Sequence, residues 1–350
     1  MTELEQLIKE NRYIRDVLDG PSAIWNSLDF WEQTGQISVI AEKLNSFHYS
    51  KVLLTGMGSS LNALYPLYCR LLQHGIQVCH IETSELLNYS NELITEDCLT
   101  VIVSQSGESI EIQKLLDNNG LKGLTIGITN TYQSTLYTKS NCSLLTQAGN
   151  ETSVSCKTYL AALAATTILG DILLKEDSAM TIDALRSAAQ EIEKYYVNSK
   201  GHIHKLIDLL SETKYLVVTG RGMSIASANT AALVIKESSK FFAEGMSSAA
   251  FRHGPFEIIL SGLFLVVFSG DRRVYELNKK LVDDVNLCGG KAVLVERGKE
   301  CDPFIVPEVS DSILPIVEIL PAQMLSIALS VLHKHEPGRF DLISKVTLTE

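Results

Sequence analysis

The sequence lacks the features that mark several classes of protein. Its seven cysteines include no Cys-x-x-Cys pair and are odd in number, which argues against a disulfide framework or a structural zinc site. Acidic residues outnumber basic ones by 41 to 30, a formal net charge of −11, and this negative field repels nucleic acid and anionic membranes. The longest apolar strand-like run, 263–268, is far shorter than the ~20 residues of a membrane helix. We therefore expect neither a nucleic-acid partner nor a membrane partner.

The beginning of the sequence points to the cytoplasm. Residues 1–12 read MTELEQLIKENR, and this segment is too highly charged to act as a signal peptide. We therefore expect a cytoplasmic protein.

What is present is typical of a globular protein with two domains. The chain has 350 residues, of which 45% are apolar and 20% charged, enough for two cores at ~150 residues per domain. Three short apolar runs each occur twice, in the same order and at nearly constant spacing: 51–59 with 215–223, 99–104 with 264–269, and 124–129 with 292–297. Each run precedes glycine or polar residues and then a helical pattern. The repeat predicts an α/β protein with two tandem doubly wound, flavodoxin-like domains, each with one parallel sheet.

The same patterns predict the organisation of the chain. We expect a helical leader at 1–30, a first domain at 31–190, a second domain at 200–337 and a C-terminal tail at 338–350. Helices are predicted at 60–73, 110–118, 157–174, 179–199, 224–242 and 322–335.

A serine-rich segment follows one of the buried strands. After the apolar run that ends at Val103 come Ser104, Gln105, Ser106 and Ser109, and then a helical pattern begins. Open α/β sheets bind ligands at the carboxyl ends of their strands, and the start of a helix presents free N–H groups. Three hydroxyls beside such amides predict a cradle for a phosphate group. The alternative is that one of these serines only caps the helix.

A second glycine-rich turn follows the first strand. Residues 56–60 read GMGSS, which resembles the beginning of a dinucleotide-binding fingerprint. Leu61 stands where that fingerprint has its third glycine, so a dinucleotide is disfavoured. The hydroxyls of Ser59 and Ser60 instead fit the same phosphate site.

The histidine pairs do not suggest a metal. Two His-x-His pairs occur at 202–204 and 333–335. On a helix this spacing directs the two rings apart, and no acidic cluster accompanies either pair. We expect no metal and no other cofactor.

A carboxylate and a histidine form a third candidate. Lys236 and Glu237 lie on a predicted helix, and His253 stands in a turn sequence, RHGP. A carboxylate base with a histidine acid can move a proton beside a sugar carbonyl. Considered without the other motifs, Glu237 and His253 also fit structural roles. Glu237 can form an ion pair with Lys240 on the helix surface, and His253 can form a hydrogen bond within its own turn.

The order of these motifs resembles a known family. GMGSS at 56–60, SQSGES at 104–109, and KE at 236–237 followed by RHGP at 252–255 are similar to the sugar isomerase (SIS) domain family in its two-domain form. Within it, the likeness is to the isomerase half of glucosamine-6-phosphate synthase and to the fructosamine-6-phosphate deglycases. It runs from about Tyr13 to Glu350.

The resemblance implies roles for single residues. The positions that match those holding a sugar 6-phosphate are Ser60, Ser104, Gln105, Ser106 and Ser109. Glu237 matches the base that moves a proton between C1 and C2. His253 matches a histidine that assists ring opening from the neighbouring subunit, which implies a homodimer or a larger assembly with shared sites.

The resemblance also extends to the C-terminal tail. Lys345 matches a catalytic lysine that reaches into the site. Glu151 is near a family glutamate, although the segment before Lys157 is one residue shorter than in the family. Ser59, Glu151 and Lys236 are further candidates for substrate contact.

Three departures from the family change the expected reaction. No segment corresponds to the glutaminase half, so the single chain is not expected to draw ammonia from glutamine. Val234 stands where the synthase has a lysine, and the second domain lacks a serine motif, with Phe268 to Asp271 reading FSGD in its place. We therefore expect one phosphate site per chain.

The resulting hypothesis is an enzyme that acts on a ketosamine or amino-sugar 6-phosphate. A proton shift between C1 and C2 would form an imine that water splits, which makes the enzyme a deglycase or a deaminase. Two alternatives are an aldose–ketose isomerase of phosphosugars and a non-catalytic sugar-phosphate sensor.

Overall fold

The chain forms two compact units. A computed structural model describes residues 3–117, 121–342, 344 and 345. The first-sheet unit comprises Ser22–Glu151, Lys157–Arg186 and Leu342–Glu350, and the second-sheet unit comprises Met1–Pro21, Thr152–Cys156 and Ser187–Asp341.

Four helices precede the first strand. They are α1 (Glu3–Glu10), α2 (Arg12–Leu18), α3 (Gly20–Thr34) and α4 (Gln36–Ser46). Asn11 is the N-cap of α2, and its side-chain oxygen accepts the N–H of Ile14 at 3.0 Å, which satisfies one of the free donors of the first turn.

The first-sheet unit is built on five parallel strands. They are β1 (Lys51–Gly56), β2 (Val78–Glu82), β3 (Cys98–Val103), β4 (Leu124–Thr129) and β5 (Cys142–Leu145), in the spatial order β2-β1-β3-β4-β5. Strands β3 and β4 are buried along their whole length, as expected for the central strands of a sheet covered on both faces.

Helices connect these strands and cover the sheet. They are α5 (Gly58–Gln73), α6 (Thr83–Tyr89), α7 (Ile110–Asp117), α8 (Thr135–Lys139) and α9 (Lys157–Leu174). The next helix, α10 (Ser178–Val197), belongs to the first-sheet unit up to Arg186 and to the second-sheet unit from Ser187. An ion pair joins α5 to α9, because Nη2 of Arg70 lies 2.6 Å from Oδ1 of the buried Asp171. Removing one partner of such a pair leaves an uncompensated buried charge.

The second-sheet unit repeats the same topology. Its strands are β6 (Tyr215–Gly220), β7 (Ala243–Ser247), β8 (Leu263–Phe268), β9 (Lys291–Arg297) and β10 (Ile305–Val306), in the order β10-β9-β8-β6-β7. Its helices are α11 (Ser199–Leu210), α12 (Ser224–Ser239), α13 (Ser248–Arg252), α14 (Tyr275–Leu287) and α15 (Leu314–Leu332). Both sheets have the flavodoxin-like order second-first-third-fourth-fifth, which confirms the predicted fold class.

Two helices differ from their predicted boundaries by three or more residues at one or both ends. Helix α15 begins at Leu314 rather than at 322, because Pro315 is compatible with a first helical turn. Helix α12 ends at Ser239 rather than at 242, because Lys240 adopts a left-handed conformation with φ of +58°. The chain therefore leaves the helix before Phe242, which is 61% exposed and not a core residue.

In the part of the chain that the structure describes, two helices are long and apolar enough to cross a membrane by length and composition alone. They are Lys157–Leu174 and the segment Asp311–Leu332, of whose windows 83% and 94% are buried inside the structure. A helix that is apolar all round and buried in this way is typical of a protein core.

Candidate functional site

The serine loop, residues 104–109, lies at the switch point of the first sheet. Strand β1 is flanked by β2 on one side and by β3 on the other, so the connections from β1 and β3 leave in opposite directions. A crevice forms at the carboxyl ends of two such strands, and doubly wound proteins bind their ligands there. Ser104 directly follows β3 and is buried.

Hydrogen bonds inside the loop orient its hydroxyl groups. The Oγ of Ser104 accepts the N–H of Gly107 at 3.1 Å, and the Oγ of Ser106 accepts the N–H of Glu108 at 3.2 Å. A hydroxyl that accepts a backbone N–H keeps its own proton available for donation. Both serines therefore stabilise a turn and can still donate to an anion.

Gly107 is required by the shape of this loop. Its φ of +66° is in the left-handed region, and a Cβ at this position would collide with the side chain of Ser134 and lie 3.0 Å from Oγ1 of Thr129. A side chain at Gly107 is therefore opposed by backbone strain and by direct overlap.

Glu108 braces the loop from outside. Its carboxylate accepts the backbone N–H of Thr135 at 2.6 Å, the hydroxyl of Thr135 at 2.8 Å and the side-chain amide of Gln113 at 3.1 Å. Burial acts to raise the pKa of Glu108, but the hydrogen bonds from Thr135 and Gln113 outweigh it, and the pKa lies below its ordinary value. The carboxylate thus joins the loop to the first turn of α8, a role that sequence reasoning missed.

Ser59 and Ser60 lie at the neighbouring strand end. They occupy the first turn of α5, which starts at Gly58 rather than at 60. In the β1–β3 register Gly56 is opposite Val103, and a Cβ on Gly56 would lie only 2.9 Å from the carbonyl oxygen of Val103. The N-terminus of α5 and the serine loop therefore adjoin, and hydroxyls beside a helix N-terminus favour an anion.

Gln105 holds the serine loop against the end of β4. Its carbonyl oxygen accepts the N–H of Asn130 at 3.0 Å and the hydroxyls of Thr129 and Thr131 at 3.3 and 3.4 Å. The backbone of the serine loop is thereby fixed to the loop that follows β4.

Glu151 and Lys345 form an ion pair. The Nζ of Lys345 lies 2.6 Å from Oε2 of Glu151, whose side chain is fully buried. The same carboxylate accepts the N–H and the hydroxyl of Thr158 at 3.1 and 2.6 Å, which satisfies the first turn of α9. Two separately predicted site residues are thus in contact, and the oxygens of Glu151 are engaged by the protein itself.

Glu237 and Lys236 lie in the last turn of α12. Lys236 is exposed and Glu237 is partly buried. The C-terminal segment crosses this end of the helix, because the N–H of Gly338 donates to the carbonyl of Ser238 at 3.1 Å. Lys240 reinforces the crossing, since its Nζ donates to the carbonyls of Glu237 and Arg339 at 2.8 and 2.6 Å.

Tyr13 of α2 lies close to Glu237 as well. Its hydroxyl is 2.8 Å from the hydroxyl of Ser326. Burial, and to a smaller extent the nearby Cys156 and Glu237, raises the pKa of Tyr13 above its ordinary value. Tyr13 is therefore a neutral, buried neighbour of the proposed base, and sequence reasoning did not predict this contact.

His253 is exposed at the end of α13. Its backbone N–H donates to the carbonyl of Ala250 at 3.0 Å, and Gly254 follows with a φ of +127°. An exposed ring in a turn is accessible to ligands and to other chains.

The predicted residues are thus divided between the two units. The first-sheet unit holds Ser59, Ser60, Ser104, Gln105, Ser106, Ser109, Glu151 and Lys345, and the second-sheet unit holds Lys236, Glu237 and His253. Within residues 3–117, 121–342, 344 and 345, no group of three or more His, Cys, Asp or Glu could hold a metal ion.

The corresponding end of the second sheet contains a buried carboxylate. Glu318 of α15 accepts the hydroxyls of Ser224 and Ser227, in the first turn of α12, at 2.7 and 2.8 Å. Burial raises the pKa of Glu318 to about 7, although the serines and Arg297 act in the opposite direction. Sequence reasoning missed this residue. The feature that could have indicated it is a single acidic residue within the otherwise apolar run LPIVEILPAQ.

Part of the first-sheet unit is similar to a known protein family. Residues 47–170 match the model of the SIS domain, which includes the serine loop and the turn before α5. The second sheet lies outside this match but has the same strand order.

Nearly the whole chain is similar to part of larger enzymes. It is 26% identical to glutamine–fructose-6-phosphate aminotransferase [isomerizing] of Thermococcus kodakarensis over 99% of this chain and 58% of that protein. The enzyme of the same description from Arabidopsis thaliana is 27% identical over 86% of this chain and 47% of that protein. The chain thus spans about half the length of these relatives.

Solved structures share the fold. Glucosamine-6-phosphate deaminase from Thermotoga maritima has a TM-score of 0.76 at 21% identity, and covers 97% of this chain and 100% of its own. Tagatose-6-phosphate ketose/aldose isomerase from Escherichia coli has a TM-score of 0.77 at 16% identity, with 96% and 98% covered. The chain therefore has a segment similar to the SIS domain, and its two-sheet fold is shared with these solved structures.

Proposed function

We propose that the protein is an enzyme that splits a C–N bond in a ketosamine or amino-sugar 6-phosphate. The observation that carries the proposal is the serine loop, which presents oriented hydroxyls at the switch point beside the N-terminus of α5. A phosphate dianion matches hydroxyl donors and free helix N–H groups. The proposed phosphate ligands are Ser60, Ser104, Gln105, Ser106 and Ser109.

Glu237 is the proposed base for the chemical step. With the amine on C1 and a carbonyl at C2, Glu237 removes a proton from C1 and returns it to C2, which leaves an imine at C1. One water molecule then adds to C1, the amine departs, and an aldose 6-phosphate remains. With the amine on C2 of an aldose, the same transfer in the opposite direction gives a C2 imine, and water releases ammonia and a ketose 6-phosphate. A positioned general base typically contributes 10²–10⁴-fold to such a transfer.

His253 and Lys345 are proposed to assist. His253 would donate or accept the proton needed for ring opening, from the neighbouring subunit of a homodimer, which its exposure allows. Lys345 carries an ammonium group that can stabilise negative charge on the open-chain oxygen. Holding the phosphate fixes the position of C1 and C2 against these groups, and such orientation lowers the barrier by several kcal/mol.

A product screen tests the proposal. The purified protein is incubated with fructoselysine 6-phosphate, glucosamine 6-phosphate and fructose 6-phosphate, and free amine, ammonia and hexose phosphates are measured. We expect release of amine or ammonia in equal amount to a hexose 6-phosphate, and a loss of at least ~10²-fold in kcat for Glu237→Gln with sugar-phosphate affinity retained. Interconversion without release would instead identify an aldose–ketose isomerase, and binding without any product would indicate a sensor.

A further inference from the structure

Asn130 lies between the serine loop and the segment that leads to Glu151, the ion-pair partner of Lys345. It directly follows β4, and its backbone N–H donates to the carbonyl of Gln105 at 3.0 Å. Its side chain extends to the loop that follows β5. One residue therefore contacts both loops at the carboxyl edge of the first sheet.

The side-chain amide of Asn130 is engaged at both its oxygen and its nitrogen. Its Oδ1 accepts the N–H of Ala148 at 2.9 Å and the hydroxyl of Thr146 at 3.0 Å, and its Nδ2 donates to the carbonyl of Gly149 at 2.8 Å. Two donors face the oxygen and one acceptor faces the nitrogen, which defines the orientation of the amide. These three bonds hold residues 146–149 in a single arrangement.

The loop held in this way leads directly to the lysine anchor. Gly149 is two residues before Glu151 in the chain. The carboxylate of Glu151 is bound on one side by Thr158 and on the other by the ammonium group of Lys345 at 2.6 Å. A displacement of Gly149 would therefore be passed to Glu151 and then to Lys345.

We propose that Asn130 is a positioning residue, which sets the ammonium group of Lys345 relative to the serine loop through Gly149 and Glu151. The proposal rests on the proposed function, in which Lys345 acts on a sugar held by that loop. It assigns Glu151 a structural partner, the ammonium group of Lys345, rather than a direct substrate contact. The expected sensitivity is high, because a misplacement of about 1 Å at a reacting group can cost ~10²-fold in rate.

The variant Asn130→Asp tests this chain of contacts with almost no change in shape. An aspartate can still accept from Ala148 and Thr146, but it cannot donate to Gly149, and its charge repels that carbonyl. We expect kcat to fall about 10-fold or more, while the affinity for inorganic phosphate, measured by calorimetry, changes less than about twofold. The backbone N–H that binds Gln105 is retained, which is why the serine loop should keep its affinity.

Two controls separate positioning from general damage. Asn141→Asp adds the same charge at the amino-terminal ends of β4 and β5, where the Oδ1 of Asn141 accepts the N–H of Thr125 at 2.7 Å. This variant should leave kcat unchanged. In a Lys345→Met background, Asn130→Asp should have no further effect on kcat, because the group it positions is gone. An undiminished effect in that background would overturn the proposal.

A readout without substrate keeps the test independent of the proposed reaction. Trypsin can cleave after Lys345, whose side chain is 18% exposed, and after Arg339, whose side chain is 64% exposed. We expect Asn130→Asp and Glu151→Gln to accelerate cleavage after Lys345 relative to Arg339, measured by mass spectrometry. Equal cleavage ratios in the variants and the wild type would refute the positioning role even if no turnover is found with any sugar phosphate.

Discussion

Glu108 and Glu318 carry the same functional group in opposite surroundings. Glu108 accepts three hydrogen bonds near the surface, which lower its pKa against the effect of partial burial. Glu318 is fully buried, and burial raises its pKa to about 7 against two serine donors. The first carboxylate therefore stabilises the fold as an anion, and the second opposes it when ionised.

The pKa of Glu318 predicts a pH-dependent stability. Between its ordinary pKa of 4.5 and about 7, the folded protein keeps a proton that the unfolded chain has released, so the free energy of unfolding falls as pH rises. Above pH 7 the loss is complete and amounts to about 3 kcal/mol. Glu318→Gln removes this titration and should stabilise the protein at pH 8 but much less at pH 4.5.

Urea unfolding of the wild type and Glu318→Gln at pH 4.5, 6 and 8 measures this difference. A difference that does not grow with pH would show that Glu318 is ionised throughout this range or that its hydrogen bonds dominate.

Among the structural elements, the serine loop depends most on its local backbone. It must turn within six residues from the end of β3 to the start of α7, and Gly107 makes this turn with a φ of +66°. The loop is then held at both sides, by Gln105 against the end of β4 and by Glu108 against α8. These contacts fix the loop before any ligand arrives, which is the preorganisation that the proposed phosphate site requires.

Gly107→Ala should therefore weaken the binding of sugar phosphate in addition to lowering the stability of the fold. A left-handed non-glycine residue costs about 1–2 kcal/mol, and the added Cβ would also displace Ser134. We expect the affinity for sugar phosphate to fall at least ~10-fold, as measured by calorimetry. Gly35→Ala is a matched control, because Gly35 has the same φ of +66° with open space around it, and it should lower Tm without changing affinity.

For the whole molecule, the two sheets repeat one topology with different contents at their switch points. The first presents a hydroxyl loop beside α5, and the second presents the carboxylate of Glu318 to the hydroxyls at the start of α12. Because Ser224 and Ser227 already donate their hydroxyls to Glu318, they do not donate to a phosphate in this arrangement, which agrees with the expectation of one phosphate site per chain.

The proposed sharing of sites between subunits predicts complementation. In a two-fold dimer, a subunit carrying Glu237→Gln paired with one carrying His253→Ala forms one doubly impaired site and one intact site. Mixing the two inactive variants under exchange conditions should restore about a quarter of the wild-type activity. Size-exclusion chromatography checks the assembly, and a mixture that stays inactive after proven exchange would place both residues in the same subunit's site.

The fold could be predicted because its signals are local. The central strands β1, β3, β6 and β8 are continuous apolar runs that end at glycine or serine, and burial on both faces requires such runs. The edge strands β7 and β10 were not predicted, since AEGMS and the two-residue IV show neither alternation nor length. The helix predicted from 322 in fact starts at Leu314, where Pro315 stands in the first turn, a position that accepts proline.

The chemistry of the candidate site could be argued from residue pattern alone only where its residues are close in sequence, and the more distant candidates came from the resemblance. The motif at 104–109 carries its hydroxyls, its glycine and its helix start in one segment, so chemistry could be assigned from the order of residues. The pairing of Glu151 with Lys345 and the contacts of Asn130 join segments that are distant in the chain. Burial of Glu318 against Ser224 has the same character. Such contacts depend on how helices and loops pack on the finished sheet, because hydrophobic periodicity describes which face is buried but not which polar groups meet there.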